Sequence, residues 1–283
     1  MPIISLPKPF ILLAVLAVAA AAVPPRAGRA QPPAEIGDAA LKAVIASTHR
    51  DPANIARDKF RHPYETLTFF GIEPGMTVVE VWPGLGWYTE ILAPYLKESG
   101  TLYAASWDRD EKRSLIQERL KQYHEKLAAR PDVYGKVIVT ELSKSKTAIA
   151  PQGSADMVLT FRNVHNWMLH GFDREVFEAM YKALKPGGVM GVVEHRADAD
   201  GFPDPQAKSG YVQEEQVIQL AKAAGFEVVG KSEINANPRD DHHHPRGVWT
   251  LPPTLFLKEH DREKYLAIGE SDRMTLKFIK PGA

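Results

Sequence analysis

Three separate segments of the chain carry imidazole side chains suited to acid–base chemistry. One segment contains His165, a second contains His195, and a third is the Asp-Asp-His-His-His run at residues 240–244. The unperturbed pKa of histidine lies near neutrality, so a neutral imidazole is able to take a proton from a substrate. We predict that His165, His195 and Asp241 act together as the catalytic residues of one site.

The run at residues 240–244 also suggests a metal site, because imidazole and carboxylate groups suit zinc, iron or manganese. Successive residues rarely point at one ion, so His165 or His195 would have to add ligands. A metal-dependent enzyme is therefore an alternative, and we assign no metal ligands from the sequence.

A second type of candidate site is a glycine turn between a strand-like run and a helical pattern. The run at residues 77–82 is mostly apolar, and the Pro-Gly-Leu-Gly segment at residues 83–86 interrupts it. Gly84 and Gly86 let backbone amides approach a ligand closely, and the start of the following helix attracts an anionic group. The dinucleotide fingerprint is not matched, because Thr89 occupies the position of its third glycine.

Apolar runs alternate with helical patterns along most of the chain. Strand-like runs occur at residues 77–82, 101–106, 136–142, 155–161, 189–194, 226–231 and 274–279. This order predicts an α/β fold, a Rossmann-like, seven-stranded, mostly parallel sheet with helices on both faces and further helices before it. Such sheets bind ligands outside the carboxyl ends of their strands, where we expect the three histidine segments to meet.

Length and composition exclude several classes of protein. The chain has 283 residues, which is enough for one large domain with a buried core. It has no cysteine, so disulfides, cysteine-based zinc sites and thiol catalysis are excluded. Its 35 basic residues are balanced by 35 acidic residues, so we expect no nucleic-acid partner.

The N-terminal residues are predicted to lie outside the fold. Lys8 precedes an apolar run at residues 10–23, which suits the core of a signal peptide and is shorter than the roughly 20 residues of a membrane span. We expect residues 1–30 to be a signal peptide, which predicts an exported protein, periplasmic or secreted, with no stable membrane span after cleavage. An uncleaved membrane anchor is the alternative.

Three motifs give the chain a resemblance to a known family. Glu80 precedes Gly84 and Gly86 with the spacing of an acidic residue followed by Gly-x-Gly-x-Gly, and Trp82 stands at the first glycine. Later motifs are the Ser-Ala-Asp-Met-Val segment at 154–158 and the Lys-Pro-Gly-Gly turn at 185–188. Over about residues 60–281 the chain resembles the class I S-adenosylmethionine-dependent methyltransferases. Within that family, the Trp-Pro-Gly-Leu-Gly-Trp-Tyr-Thr-Glu turn at 82–90, the His-Pro-Tyr-Glu segment at 62–65 and the segment at 237–242 look like a group of exported, predicted methyltransferases. The resemblance divides the chain into the signal peptide, a linker with N-terminal helices at 31–60, and a methyltransferase-like domain at 61–283.

The resemblance implies a cofactor site at the first two strands. Glu80, Gly84 and Gly86 would surround the methionine end of S-adenosylmethionine, and Asp108 would receive its ribose hydroxyls. The alternative for Asp108 is a cap on the helix predicted from residue 109. Trp82 departs from the family pattern, because a large indole stands where the family keeps a glycine.

The resemblance also implies an activity, a methyltransferase that uses S-adenosylmethionine and acts on an unidentified small molecule. The end of the fourth strand lies beside the transferred methyl group in this family, which makes His165 the expected base. His195 and Arg196 would hold an anionic or carbonyl part of the acceptor. The alternatives are a non-catalytic exported ligand-binding domain on the same fold, or the metal-dependent enzyme described above. We make no prediction of the oligomeric state.

Overall fold

The computed structural model describes Met1, Pro2 and residues 33–282. The predicted signal peptide lies outside the described residues, apart from its first two positions. Among the described residues, none of the helices has the length and hydropathy of a membrane span.

Seven strands of the described chain form one sheet, which confirms the predicted fold class. They are β1 (Thr77–Val81), β2 (Thr101–Trp107), β3 (Ile138–Leu142), β4 (Ala155–Phe161), β5 (Leu184–His195), β6 (Glu227–Ser232) and β7 (Arg273–Ile279). Their order across the sheet is β3-β2-β1-β4-β5-β7-β6. Strand β7 pairs antiparallel with β5 and β6, and the other neighbouring strands are parallel.

Helices lie before the sheet and between its strands. They are α1 (Pro33–Ile45), α2 (Pro52–Ile55), α3 (Asp58–Arg61), α4 (Pro63–Phe70), α5 (Thr89–Leu96), α6 (Ser114–Ala129), α7 (Pro131–Tyr134), α8 (Val164–His170), α9 (Asp173–Ala183), α10 (Glu214–Ala223) and α11 (Arg262–Ile268). A 3₁₀ helix spans Gly247–Thr250. Asp51 caps α2 through the amide of Ala53, as an aspartate before a proline predicts, although the helical pattern at 51–61 forms two short helices.

The helix predicted at residues 109–130 begins later, at Ser114. The charged segment before it forms a turn, in which the carboxylates of Asp108 and Glu111 accept hydrogen bonds from the amides of Asp110 and Arg113. Leu115 is 62% exposed, because it lies about 140° around the helix from the buried Leu120.

The pleat of β1 separates two apolar layers that cover the faces of the sheet. Val79 and Val81 pack with the layer that contains α8 and α9, whereas Val78 packs with the layer that contains α4 and α5. Glu80 shares the face of Val78, because side chains alternate along a strand. The residue after the strand, Trp82, is buried and packs with the layer of Val79 and Val81.

Candidate active site

A cleft with a volume of about 440 Å³ opens at the carboxyl ends of β1, β4 and β5. The glycine turn after β1, the first residues after β4 and the end of β5 line it from the sheet side. Residues of α2 and α3 and the segment around the 3₁₀ helix line its other walls. His165 and His195 both line this cleft, as their positions at strand ends predict.

A fully buried carboxylate on β5 positions the two histidines. Glu194 accepts hydrogen bonds from Nδ1 of His165 at 2.9 Å, from the amide of Val164 at 2.5 Å and from the amide of His195 at 2.8 Å. In the neutral imidazole of His165 this contact places the proton on Nδ1. Nε2 is then the ring nitrogen that is able to accept a proton.

His195 is held beside His165 as a neutral imidazole. The two ring centroids lie 5.3 Å apart, and Nδ1 of His195 lies 2.5 Å from the hydroxyl oxygen of Ser271. Burial lowers the pKa of His195 well below its ordinary value, and the nearby His165 and Arg273 lower it further. His195 therefore contributes hydrogen bonding and shape to the site at neutral pH.

Four arginines at this end of the cleft surround a single carboxylate. Nε of Arg57 lies 2.6 Å and Nε of Arg61 3.3 Å from the carboxylate oxygens of Glu270, and Arg273 forms an ion pair with the same group. Arg162, the residue after β4, also lines the cleft. Although burial raises it, Arg273, Arg61 and Arg57 hold the pKa of Glu270 well below its ordinary value, so Glu270 is ionised.

Two residues that sequence reasoning placed at this site lie elsewhere. Asp241 does not line the cleft, and its exposed carboxylate accepts a hydrogen bond from the amide of His243. Its neighbour Asp240 is the buried one, and accepts from the hydroxyl of Tyr211 at 2.9 Å. The guanidinium of Arg196 is likewise outside the cleft, because it pairs with Asp272 and Glu233. The structure thus brings His165 and His195 together without Asp241.

Two groups of side chains have the composition of a metal site. His165, Glu194 and His195 form one, and Asp240, Asp241 and His244 form the other, each with ligand atoms within 4.8 Å of one another. The central carboxylate of each group already accepts several hydrogen bonds from the chain. Glu194 accepts three hydrogen bonds, and Asp240 accepts from Tyr211, His244 and two backbone amides. Both arrangements are explained as hydrogen-bond networks within the described residues.

Of the residues predicted to bind the cofactor at the glycine turn, Gly84 faces the cleft, whereas Gly86 and Glu80 lie on the other side of the turn. Gly84 lines the cleft with a φ of 65°, and no atom lies within 4 Å of the position a Cβ would take. Gly86 has a φ of 81° and packs against Tyr123 instead. Glu80 lies behind the turn, where its carboxylate accepts a hydrogen bond from Thr89 at 2.6 Å and burial raises its pKa to about 7.

Trp82 covers the ends of β2 and β3 next to this turn. Its indole Nε1 donates to the carbonyl oxygen of Leu142 at 3.2 Å, and its ring lies 5.7 Å from that of Trp107 and 5.9 Å from that of Trp167. The residue is only 7% exposed. Trp82 and Trp107 line both the cleft and a second cavity of about 350 Å³.

Asp108 belongs to this second cavity. Its carboxylate pairs with Nζ of Lys146 at 2.6 Å, accepts from the hydroxyl of Ser143 at 3.1 Å and caps the amide of Asp110 at 2.9 Å. The hydrogen bond from Lys146 is the main reason that the pKa of Asp108 is lowered. Asp108 is therefore an ionised acceptor at the end of β2, and it caps a turn as well.

Sequence reasoning gave no role to several residues of the cleft. Arg162 directly follows β4, and Glu194, which lies behind the cleft, directly precedes His195, so the strand-end rule was able to find both. Arg61, Glu270 and Arg273 come from distant parts of the chain, and their meeting depends on the packing of α3 against the residues before β7. No local pattern signals that contact.

Comparisons with known proteins identify the fold. No protein-family model matches the chain, and no curated protein sequence matches it. Among solved structures, the chain is similar to an S-adenosylmethionine-dependent methyltransferase from Aquifex aeolicus, with 18% identity over 86% of this chain and 98% of that one and a TM-score of 0.55. It is also similar to the [4+2]-cyclase SpnF, with 14% identity, coverage of 88% and 95%, and a TM-score of 0.58.

A third solved structure is a geranyl diphosphate methyltransferase in complex with S-adenosylmethionine. The identity is 12%, the coverage is 84% of this chain and 94% of that one, and the TM-score is 0.54. At these identities the likeness shows that the chain has the class I methyltransferase fold. One of the three proteins is described as a cyclase, so the function has to be argued from the site.

Proposed function

We propose that this protein is an exported S-adenosylmethionine-dependent methyltransferase that acts on a small molecule. The observation that carries the proposal is His165, which is oriented by the buried Glu194 and lines a cleft beside the glycine turn of a methyltransferase fold. An oriented imidazole in such a position suits removal of a proton from a methyl acceptor.

The residues present fit the cofactor at two places. Gly84 leaves open space beside the backbone of the turn, so a ligand is able to approach it closely. Asp108 is an ionised carboxylate in the second cavity, where hydroxyl groups are suitable partners. S-Adenosylmethionine supplies an activated methyl group when bound, and Gly84 with Asp108 would hold its two ends.

The protein's own contribution is positioning and proton transfer. His165 accepts the acceptor's proton at Nε2, and the buried Glu194 stabilises the imidazolium that results. Neutral His195 lies beside that ring and adds no competing charge. The indole of Trp249 meets the ring of His165 edge-on, with centroids 6.1 Å apart, and His165 is only 5% exposed.

A calorimetric titration with S-adenosylmethionine tests the proposal. We expect saturable binding of one cofactor molecule per chain, and S-adenosylhomocysteine should compete for the same site. Failure of both compounds to bind the folded protein would remove the methyltransferase proposal.

A second candidate function is a non-catalytic ligand-binding domain. Trp82 favours it, because the indole lies between the cleft and the cavity that contains Asp108. On this proposal the protein would bind a ligand in the cleft and would not bind S-adenosylmethionine. The titration described above therefore separates the two functions.

Export is part of the first proposal and has its own test. It is supported by Lys8 and the apolar run at residues 10–23. N-terminal sequencing of the protein from periplasm or medium should give a start near residue 23 or residue 31. Recovery of a chain that begins at Met1 from the cytoplasm would contradict it.

A further inference from the structure

The cleft carries far more positive than negative charge at its deep end. Arg57, Arg61, Arg162 and Arg273 lie around one acidic group, Glu270, and all five line the cleft. The two nearby histidines add no negative charge. Glu194, behind the two histidines, is a second carboxylate near this end. The four guanidinium groups therefore exceed the carboxylates by two, and because buried charges are normally paired, this surplus predicts an anionic partner from outside the chain.

Arg162 is the clearest member of this surplus. Among residues 33–282 its guanidinium forms neither an ion pair nor a hydrogen bond. Burial, and then the charge of Arg273, lower its pKa to about 10, so the group remains charged at neutral pH. A charged donor in this position lacks a partner that the chain itself supplies.

The backbone of Arg162 is also in a conformation that side chains rarely adopt. Its φ is 61°, and its amide donates to the carbonyl of Val193 at 2.7 Å. Left-handed backbone at a non-glycine residue is a recurring feature of functional sites. Here it places an arginine between the ends of β4 and β5, beside His165.

Arg273 gives a second, independent indication that an anionic ligand binds here, because one of its buried donors has no hydrogen-bond partner among the described residues. Its side chain is 2% exposed and lines the cleft, and its Nε is buried without a hydrogen-bond partner among the described residues. Its other donors contact Glu270 and the carbonyl of Phe60. A buried donor without a partner is costly, and a bound oxyanion would satisfy it.

We propose that the methyl acceptor carries an oxyanion, a phosphate or a carboxylate, that binds between Arg61, Arg162 and Arg273. The assignment of this anion to the acceptor rests on the proposed methyltransferase function. Guanidinium groups bind both oxyanions through paired hydrogen bonds. The surplus of two positive charges favours a doubly charged phosphate group. Binding there would place the rest of the acceptor next to His165.

Inorganic phosphate and acetate are suitable probes, titrated calorimetrically into the wild-type protein and into Arg162→Gln. We expect both anions to bind the wild type and Arg162→Gln to lose affinity by at least about tenfold, since a hydrogen bond to a charged group is lost. Arg162→Lys should lose less, because it keeps the charge. Tighter binding of phosphate than of acetate would assign a phosphate group, and the reverse would assign a carboxylate.

The matched control is Arg119→Gln. Arg119 lines the exposed rim of the same cleft, so this variant removes one charge without removing a deep contact. We expect its phosphate affinity to fall by less than about threefold, because exposed charges act through screened interactions. Equal losses in Arg119→Gln and Arg162→Gln, or failure of the wild type to bind either anion, would overturn the proposed site. Unfolding temperatures identify any variant that fails to fold.

Titration of S-adenosylmethionine into the same variants tests the anion site separately from the proposed methyltransferase function. Anion binding without cofactor binding would retain the anion site and remove the methyltransferase function. Unchanged cofactor affinity in Arg162→Gln, with cofactor and phosphate bound together, is the expected result. Competition between phosphate and the cofactor, together with loss of cofactor affinity in Arg162→Gln, would assign the arginines to the cofactor's own carboxylate and overturn the acceptor assignment.

Discussion

A buried carboxylate determines what the cleft histidines are able to do. Glu194 is fully buried at the end of β5 and fixes the proton of His165 on Nδ1. The same carboxylate accepts from the amide of Val164, the first residue of α8. The orientation of the base therefore depends on a strand and a helix together.

Our first prediction concerns this pair. Glu194→Gln keeps the size of the side chain but removes the charge that stabilises the imidazolium, and His165→Ala removes the base. We expect each to lower the rate of methyl transfer about 10²-fold or more, with little change in cofactor affinity. His170→Ala is the control, because His170 lines the cleft rim and pairs with Arg113. Wild-type rates in both site variants would contradict the assigned base.

The second prediction concerns Glu80 and pH. Burial raises its folded-state pKa from 4.5 to about 7. The folded state holds this proton to higher pH than the unfolded state, so the group costs stability progressively as pH rises from about 4.5 to 7. The cost above pH 7 is on the order of 3 kcal/mol. Glu80→Gln should therefore be more stable than the wild type at pH 8 and similar at pH 4.

Urea unfolding of Glu80→Gln at several pH values measures this difference. Glu98→Gln, at an exposed position, is the matched control and should follow the wild type at every pH. Parallel stability curves for Glu80→Gln and wild type between pH 4.5 and 8 would show that the carboxylate of Glu80 keeps an ordinary pKa.

At the scale of elements, the turn after β1 combines an unusual backbone conformation with a position that lines the cleft. Gly84 has a φ of 65° with open space around it, and Gly153 has the same φ and the same open space at a position outside the cleft. A side chain at either residue strains the backbone to a similar degree. Comparison of the same substitution at Gly84 and at Gly153 therefore distinguishes the effect of backbone strain from the loss of a ligand contact.

We predict that Gly84→Val loses S-adenosylmethionine affinity by at least about tenfold, whereas Gly153→Val retains it. Both variants should lose about 1 kcal/mol or more of stability, because valine is poorly suited to a left-handed backbone. Calorimetry and thermal unfolding measure the two effects. Equal cofactor affinity in the two variants would place the ligand away from the turn.

Trp82 supports a further prediction about the same turn. Its indole packs with Trp107 and Trp167 and lies between the cleft and the cavity of Asp108. Trp82→Gly should lose about 3–5 kcal/mol of stability, because it leaves a large cavity. If the indole obstructs the cofactor, this variant should also bind S-adenosylmethionine more tightly, because the two cavities then join. Trp167 belongs to the same aromatic cluster but lines neither cavity. Trp167→Ala should therefore leave a cavity in the cluster without any rise in cofactor affinity. Weaker binding by Trp82→Gly would make the indole part of the site.

The elements were largely predictable because their apolar patterns are strong. Strand β4 lies at the predicted residues, and most of the other strand bounds differ by one or two residues. Helix α8 was not predicted, because its polar residues had been assigned to a loop at the strand end. The pair His165 and His195 follows from the strand-end rule, whereas the buried position of Asp240 instead of Asp241 depends on how the loop packs.

At the scale of the whole molecule, Glu270 joins the two ends of the described chain. It contacts Arg57 and Arg61 near the start and Arg273 on β7, across a sequence separation of 209 residues or more for the first two. We predict that Glu270→Gln loses about 3–5 kcal/mol, because three guanidinium groups then lose their buried counter-charge. Glu259→Gln, at an exposed position, is the control, and chemical denaturation measures both. A loss below about 1 kcal/mol would show that solvent screens the cluster.

The antiparallel strand β7 has a consequence for the order of events in biosynthesis. Of the seven strands in residues 33–282 it comes latest in sequence, yet it lies between β5 and β6 and brings Arg273 to the cleft. This sheet is therefore able to close only after β7 has left the ribosome, later than the six strands that precede it. For a chain that crosses a membrane as we propose, the delay keeps the precursor open for translocation. The catalytic cleft would then be assembled only at the destination.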